Sequence, residues 1–258
     1  LTDGLRDALD EGQLHMVFQP IVNVETGDLH KAEALLRWEH PVHGFISPTT
    51  FIPVAEEAGL IKDLGDFVFT EVVHAVRHAR ELVPGFRVSF NMSPVEIADA
   101  HGLHVARLAV LEREGVPGTA LVLEITEGLL LDRSETTMTN LRRYRDAGVL
   151  FAIDDFGTGY SSLSYLQKLD VDYLKIDRSF IDGLPEDVDS FALCKAIIEM
   201  AHSLDLEVIA EGIETERQLE VMRTLGCDYM QGYLCSRPVP LDAFLDLVRE
   251  YLERESSH

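Results

Sequence analysis

Phe151-Ala152-Ile153-Asp154-Asp155-Phe156-Gly157-Thr158-Gly159-Tyr160-Ser161-Ser162 reads as a strand, a loop and the start of a helix. An apolar run of strand type drives into two adjacent carboxylates. A glycine-punctuated loop follows, and the Ser-Ser pair suits a helix cap. Two aspartates at the end of a buried strand repel each other and lose hydration, a cost that a cation between them relieves. Hard oxygen ligands favour Mg²⁺ or Mn²⁺. The competing reading is an Asp-Asp pair that caps the next helix, and the stretch alone leaves the two level.

The same strand-loop-helix unit recurs on either side. Upstream, a helix over Arg133–Ala147 precedes the strand Val149–Asp154; before it come the strand Phe86–Asn91, a helix over Pro94–Glu114 and the strand Ala120–Glu124. Downstream, helix Ser161–Lys168 leads to strand Asp172–Ile176, helix Asp189–Leu204 to strand Glu207–Glu211, and helix Glu216–Leu225 to strand Asp228–Gln231. A last helix covers Leu241–Leu252. The chain begins differently: a short amphipathic helix over Leu1–Glu11, a strand His15–Val22, the turn Glu25–Asp28 and a strand Leu29–Trp38, then helices over Pro48–Glu57 and Ile61–Leu82. That turn is too short for a parallel crossover, so the first two strands pair antiparallel. Eight strands with helices alternating after the second predict an α/β fold, a modified TIM (β/α)₈ barrel with its first strand antiparallel to the others.

The chain has 258 residues, 46% of them hydrophobic, enough for the single domain 1–258 that this pattern implies. A formal charge of −23 argues against nucleic acid held on a basic face, but bound cations would still allow a phosphate-bearing substrate. Cys194, Cys227 and Cys235 are odd in number and lack C-x-x-C spacing, which points to reduced thiols in a cytoplasmic setting and not to zinc. No apolar run has a membrane span's length. The opening on Leu1 suggests a piece of a longer protein, with residues 1–13 as a helical linker.

Asn91, Glu124, Asp154, Lys175, Glu211 and Gln231 each fall at or just past the C-terminal end of a different strand, and Glu33 lies within the second. In a barrel those ends converge on one face, the face where barrel enzymes place their chemistry. Any one of these residues alone reads equally as a cap or a satisfied rim group. Together they give the ligand types and number for two hard cations roughly 3.5–4 Å apart.

Glu33-Ala34-Leu35 followed by Leu36-Arg37 resembles the signature of EAL domains, the cyclic-di-GMP phosphodiesterases. The likeness runs through Gln19-Pro20-Ile21-Val22, Asn91-Met92-Ser93, Leu123–Glu127, Asp154–Gly159, Lys175-Ile176-Asp177, Glu211–Thr215 and Gln231-Gly232-Tyr233, in family order over nearly the whole chain. Met92, where the family often has leucine, is a conservative departure.

The resemblance implies metal-dependent hydrolysis of one phosphodiester of cyclic-di-GMP to linear pGpG, lowering a bacterial second messenger. It implies Glu33, Asn91, Glu124 and Asp154 as ligands of one Mg²⁺ or Mn²⁺. Asp154, Asp155 and Glu211 would hold a second, with Asp154 bridging and Ca²⁺ inhibiting. Lys175 would position the attacking water and steady the phosphate charge, with Glu211 and Gln231 holding that water. Arg37 and Gln19 would contact substrate. Glu127 and Glu214 would support the site, and the loop with Gly157, Thr158 and Gly159 would order as ligands bind. From its sequence position alone Glu127 is either an anchor for that loop or a solvated glutamate, and the resemblance favours the anchor. It also implies a homodimer through the elements after Asp154-Asp155, and a sensor or diguanylate cyclase domain ahead of the chain.

Two other functions stay open: a receptor that binds cyclic-di-GMP without turnover, and a scaffold acting through the outer helices. His74 and His78 lack the Glu of H-E-x-x-H, and with Glu71 and Glu81 they mark a solvated helix face. The segment His101–His104 reads as surface.

Overall fold

In the computed structural model, which describes residues 2–131, 134–157 and 170–255, eight strands close a barrel. They are β1 Leu14–Asn23, β2 Leu29–His40, β4 Arg87–Asn91, β5 Leu121–Thr126, β6 Leu150–Phe156, β7 Tyr173–Ile176, β8 Glu207–Ala210 and β9 Tyr229–Gln231, with the short β3 Gly44–Ile46 hairpinned onto β2. From β2 through β9 the neighbours in the barrel wall run parallel. β1 is antiparallel to both of its neighbours, β2 and β9, and closes the ring. The turn between β1 and β2 is held by the Asn23 side chain, whose Oδ1 accepts from Glu25 N and Thr26 N at 2.9 Å each.

Alternation along the strands decides what each face carries. Val88, Phe90, Leu121, Leu123, Ile125, Phe151, Ile153, Leu174, Ile176 and Val208 join the large core between the wall and the surrounding helices. Inside the barrel, Ile21, Val122, Ala152, Tyr173 and Ile209 form a separate apolar plug. Polar side chains lie above and below that plug. Lys31 and Glu33, Tyr173 and Lys175, and Tyr229 and Gln231 are pairs two residues apart on β2, β7 and β9, so each pair shares the inner face at different heights.

A third cluster seals the rim beside β2. Leu5 and Ala8 of the helix Thr2–Asp10 pack with Leu14, Trp38 and Phe51. Trp38 meets Phe51 edge-on at 5.6 Å and donates from Nε1 to Gln13 Oε1 at 3.1 Å, so its apolar body and its polar atom are both satisfied.

Three expectations need correction. The strand β3 was not anticipated, because three residues after a turn carry no periodicity. The single helix over Pro94–Glu114 is two, Pro94–Ile97 and Leu103–Glu114. Asp99 breaks it: its Oδ2 accepts from His101 N at 2.8 Å and Leu103 N at 3.3 Å, and Gly102 turns the chain at φ 94°. The new start places His104, Arg107 and Leu111 on the inward face, so His104 is fully buried and not on the surface, with Nδ1 3.0 Å from the Tyr144 hydroxyl. Burial, and then the Arg107 charge, hold its imidazole below its ordinary pKa. The expected helix Ser161–Lys168 lies outside the described residues, as do Thr158 and Gly159.

Candidate active site

The strand ends bring the expected residues together around Lys175, which is 1% exposed. Its Nζ lies 2.6 Å from Glu211 Oε1, 2.7 Å from Glu124 Oε2, 3.1 Å from Asp154 Oδ1 and 3.4 Å from Glu33 Oε2. These carboxylates outweigh the desolvation of the ammonium and hold its pKa well above the ordinary lysine value. Asn91 Nδ2 donates to Glu33 Oε1 at 3.0 Å and Glu124 Oε2 at 3.2 Å. Gln231 Nε2 donates to Glu33 Oε2 at 2.6 Å and to Gln19 Oε1 at 3.1 Å, and Gln19 in turn donates to Ser236 O.

β6 presents its two aspartates through an irregularity in its pairing with β7. Ile153 faces Leu174 and Phe156 faces Ile176, so two residues of β6 stand against Lys175 alone. This is a bulge, and Asp155 takes it up with φ 54°, a left-handed conformation that aspartate tolerates better than most side chains. In a regular strand consecutive side chains point to opposite faces. Here one carboxylate oxygen each of Asp154, Asp155 and Glu211 lie within 4.8 Å of one another.

The electrostatics of this mouth are unbalanced. Five carboxylates, Glu33, Glu124, Asp154, Asp155 and Glu211, surround one ammonium, which has three protons to donate. Burial, then the Glu33 and Asp154 charges, push Glu124 well above the usual carboxylate range. Burial acts on Glu33 in the same sense, but the Lys175 charge and the Gln231 hydrogen bond override it and hold that carboxyl low. Burial and the neighbouring acids push Glu211 up to about 7, and burial with Asp154 raises Asp155. The buried oxygens Glu124 Oε1 and Gln231 Oε1 have no hydrogen-bond partner among the described residues. A divalent cation fits this donor set: it would neutralise the excess charge and give the orphaned carboxylate oxygen a partner.

Two cavities meet here. One, of about 270 Å³, is polar and includes Gln19, Glu33, Asp154, Lys175, Glu211 and Gln231 in its lining. The other, of about 310 Å³, is apolar and runs past Asn91 and Arg37 to Leu36, Ile52, Val68 and Met92. Arg37 thus stands in the apolar cavity, half-buried, with Nη1 on the carbonyl of Leu36 at 3.0 Å. Glu214 lines the polar cavity at its edge and pairs with Arg178 Nη1 at 3.0 Å. Glu127 is 6% exposed in the turn after β5, so it is not a solvated glutamate. Gly157 ends the described part of the loop at φ 96°, with Phe180 against the place of a side chain.

Sequence reasoning assigned no role to Arg178 or Tyr233, both of which line the polar cavity. A signal existed for each: Arg178 follows the strand-end run Lys175-Ile176-Asp177, and Tyr233 follows Gln231-Gly232.

Comparison with known proteins decides the family, since the EAL domain profile matches residues 2–238. The chain belongs to the EAL domain family. This EAL domain is 41% identical over 257 residues to "Cyclic di-GMP phosphodiesterase NbdA" of Pseudomonas aeruginosa, covering 97% of this chain and 32% of that protein. It is 35% identical over 254 residues to "Cyclic di-GMP phosphodiesterase PdeR" of Escherichia coli, covering 98% of this chain and 38% of that protein. The EAL domain therefore spans about a third of the length of such curated relatives. Among solved structures it superposes on the PaMucR phosphodiesterase in complex with c-di-GMP with a TM-score of 0.84 and 39% identity, over 94% of this chain and 98% of that one. The EAL enzyme Bd1971, in a form with cAMP and cyclic-di-GMP bound, gives a TM-score of 0.90 at 33% identity, over 96% of this chain and 68% of that one. Among the described residues of this EAL domain, no helix is long and apolar enough to cross a membrane.

Proposed function

We propose that this EAL domain hydrolyses one phosphodiester of cyclic-di-GMP to linear pGpG with the help of two divalent cations. The observation that carries the reading is the convergence of Asp154, Asp155 and Glu211 beside Lys175, with excess carboxylate charge. Glu33, Asn91, Glu124 and Asp154 would hold one cation, and Asp154, Asp155 and Glu211 the other, Mg²⁺ or Mn²⁺ in each case. When bound, such cations supply Lewis acidity toward water and phosphate oxygens.

The chain's own residues then divide the work. Lys175, fixed by four carboxylates, holds positive charge where the phosphorane develops negative charge. Gln231 Oε1 and Glu211 accept hydrogen bonds from the attacking water. That water attacks phosphorus in line, and the opposite P–O bond breaks to free a ribose hydroxyl. Arg37 forks onto phosphate oxygens, and Gln19 steadies the substrate from the other side. The apolar cavity beyond Arg37 suits the face of a purine base. Glu127, Glu214 and the loop that includes Gly157, Thr158 and Gly159 support this arrangement. Purified protein incubated with Mg²⁺ or Mn²⁺ and cyclic-di-GMP should yield pGpG on chromatography; tight binding without product would leave a receptor in its place.

The finer readings rest on the same site. Ca²⁺ inhibits, because its larger radius and looser coordination suit a compact two-cation arrangement poorly. The protein works in the cytoplasm and pairs as a homodimer through elements after β6, where Val188 and Leu193 are exposed apolar residues. Sedimentation showing a monomer at every concentration would remove the dimer. A sensor or diguanylate cyclase domain in the same polypeptide would set the activity.

A further inference from the structure

The other end of the barrel holds a second polar cavity, of about 210 Å³, lined by Asn23, Asp28, His30, Lys31, Arg87 and Tyr229 together with Gly85. It lies beneath the apolar plug, so it is separated from the carboxylate mouth by Ile21, Val122, Ala152 and Ile209.

Its cations are arranged against their own interest. Lys31 and Arg87 are register partners on the adjacent strands β2 and β4, and both line the cavity. Like charges set side by side across a sheet destabilise it. Lys31 is only 6% exposed, its ammonium over the Tyr229 ring at 3.1 Å from the centroid, and 4.8 Å from that of Tyr173. The one carboxylate within ion-pair reach of it among the described residues is Glu207, at 3.7 Å. Arg87 donates to the Tyr173 hydroxyl and has no carboxylate at ion-pair distance among the described residues. A guanidinium does not shed its proton, so this positive charge persists at any working pH. Asp28 also lines the cavity, but among the described residues it lies at ion-pair distance from neither cation.

We infer that this basal cavity is a binding site for a small oxyanion, a phosphate monoester or a carboxylate of similar size. Arg87 offers the planar fork that matches two oxygens of such a group, and Lys31 and His30 add donors from β2. The anion relieves the repulsion between Lys31 and Arg87. The volume admits a ligand of a few carbons and is below what drug-sized pockets occupy, so a dinucleotide is excluded. Asp28 at the lining, and Glu207 behind Lys31, oppose an anion and keep its affinity moderate.

Calorimetric titration in EDTA at constant ionic strength tests this, with inorganic phosphate, glycerol phosphate and malonate as separate probes. At least one should bind saturably at millimolar concentration or tighter, and the ranking of glycerol phosphate against malonate identifies the source. Asp28→Asn, which removes a like charge from the lining, should tighten binding several-fold. Arg87→Gln should weaken it at least tenfold with an unchanged circular dichroism spectrum. Should Arg87→Gln fail to fold, crystals soaked in selenate decide, with anomalous density expected against Arg87. The inference is overturned by no saturable binding of any probe, by Asp28→Asn and Arg87→Gln both leaving the affinity unaltered, or by selenate seated only elsewhere.

Discussion

Asp154 and Asp155 are consecutive on a strand, yet they present carboxylate oxygens within 4.8 Å of each other and of one from Glu211. The bulge opposite Lys175 makes this possible, since two residues of β6 occupy the span of one on β7 and Asp155 adopts φ 54°. Strain of this kind persists where the surroundings enforce it, and such places cluster at functional sites.

Asp154→Asn should nearly abolish hydrolysis of cyclic-di-GMP while leaving the circular dichroism spectrum intact. Asp154 borders both carboxylate groups, at 3.1 Å from Lys175 Nζ and within the trio with Asp155 and Glu211. EDTA should stop the wild-type reaction, and Mg²⁺ or Mn²⁺ should restore it. A variant rate within a few-fold of wild type would remove Asp154 from the mechanism.

Lys175→Ala and Arg37→Ala should fail in different ways. Lys175 sits among the acids, where it would act on charge that develops in the transition state, so kcat should fall by on the order of 10²–10³-fold. Arg37 stands in the apolar cavity, where its fork would hold ground state and transition state alike, so KM should rise with kcat nearly unchanged. Equal defects in kcat would show that this division is wrong.

Glu127→Ala should weaken apparent Mg²⁺ affinity by about 10–100-fold, with activity partly restored at high metal concentration. The carboxylate is buried just past the end of β5, three residues after Glu124. Asp154→Asn should show no such rescue. A metal-dependence curve like that of wild type would leave the Asp155–Tyr160 loop without this anchor.

The barrel was legible in the sequence because its signals are local. The four-residue turn Glu25–Asp28 forces β1 and β2 antiparallel, and helices separate β4 from β5, β5 from β6, β7 from β8 and β8 from β9. The ring of polar residues at strand ends was legible for the same reason. What stayed hidden is set by tertiary contact. The sequence brings these residues to one face, but nothing in it shows that Lys175 Nζ pairs directly with four of the carboxylates. The bulge at Asp154-Asp155 is a matter of register with β7, and register is invisible in one strand. His104 reads as a surface residue until Asp99 restarts the helix and turns it inward.

Gly65→Ala should lower the melting temperature by on the order of 5–10 °C despite alanine's better helix propensity. A Cβ there would overlap Glu96 Oε1 and Arg107 Nη2. Those atoms form a buried ion pair at 2.7 Å, and Glu96 also accepts from Ser93 N at 3.1 Å, just past the end of β4. Breaking such a pair costs about 3 kcal/mol. Thermal unfolding followed by circular dichroism reads the shift, and an unchanged midpoint would show that the pair moves aside freely.

Asp99 should make acid stability depend on one carboxylate. Burial alone would raise its pKa, but the Lys62 hydrogen bond and the His101 and Leu103 amides prevail and hold it at about 2. A depressed pKa stabilises the fold above the unfolded value near 4, and that contribution fades as pH falls from about 4 toward 2. Urea unfolding of wild type and Asp99→Asn should differ by about 2 kcal/mol, constant from pH 7 to 5 and shrinking below pH 4. A gap that stays constant down to the lowest pH at which both still fold would disprove the assignment.

Because β1 runs against its neighbours, the chain enters the barrel at the mouth and reaches the base only at Asn23. Leu14 faces Trp38, and the helix Thr2–Asp10 lies on that rim, with Gly4 close to Trp38 and His40. A barrel of eight parallel strands would seat the same helix under the floor, a barrel's height from the chemistry. Here the helix packs directly against Trp38, and Arg37 is the adjacent residue on the strand. The N-terminal helix is a handle attached at the mouth of the vessel, so a pull on it would meet Trp38 and its neighbour Arg37 without crossing the barrel at all.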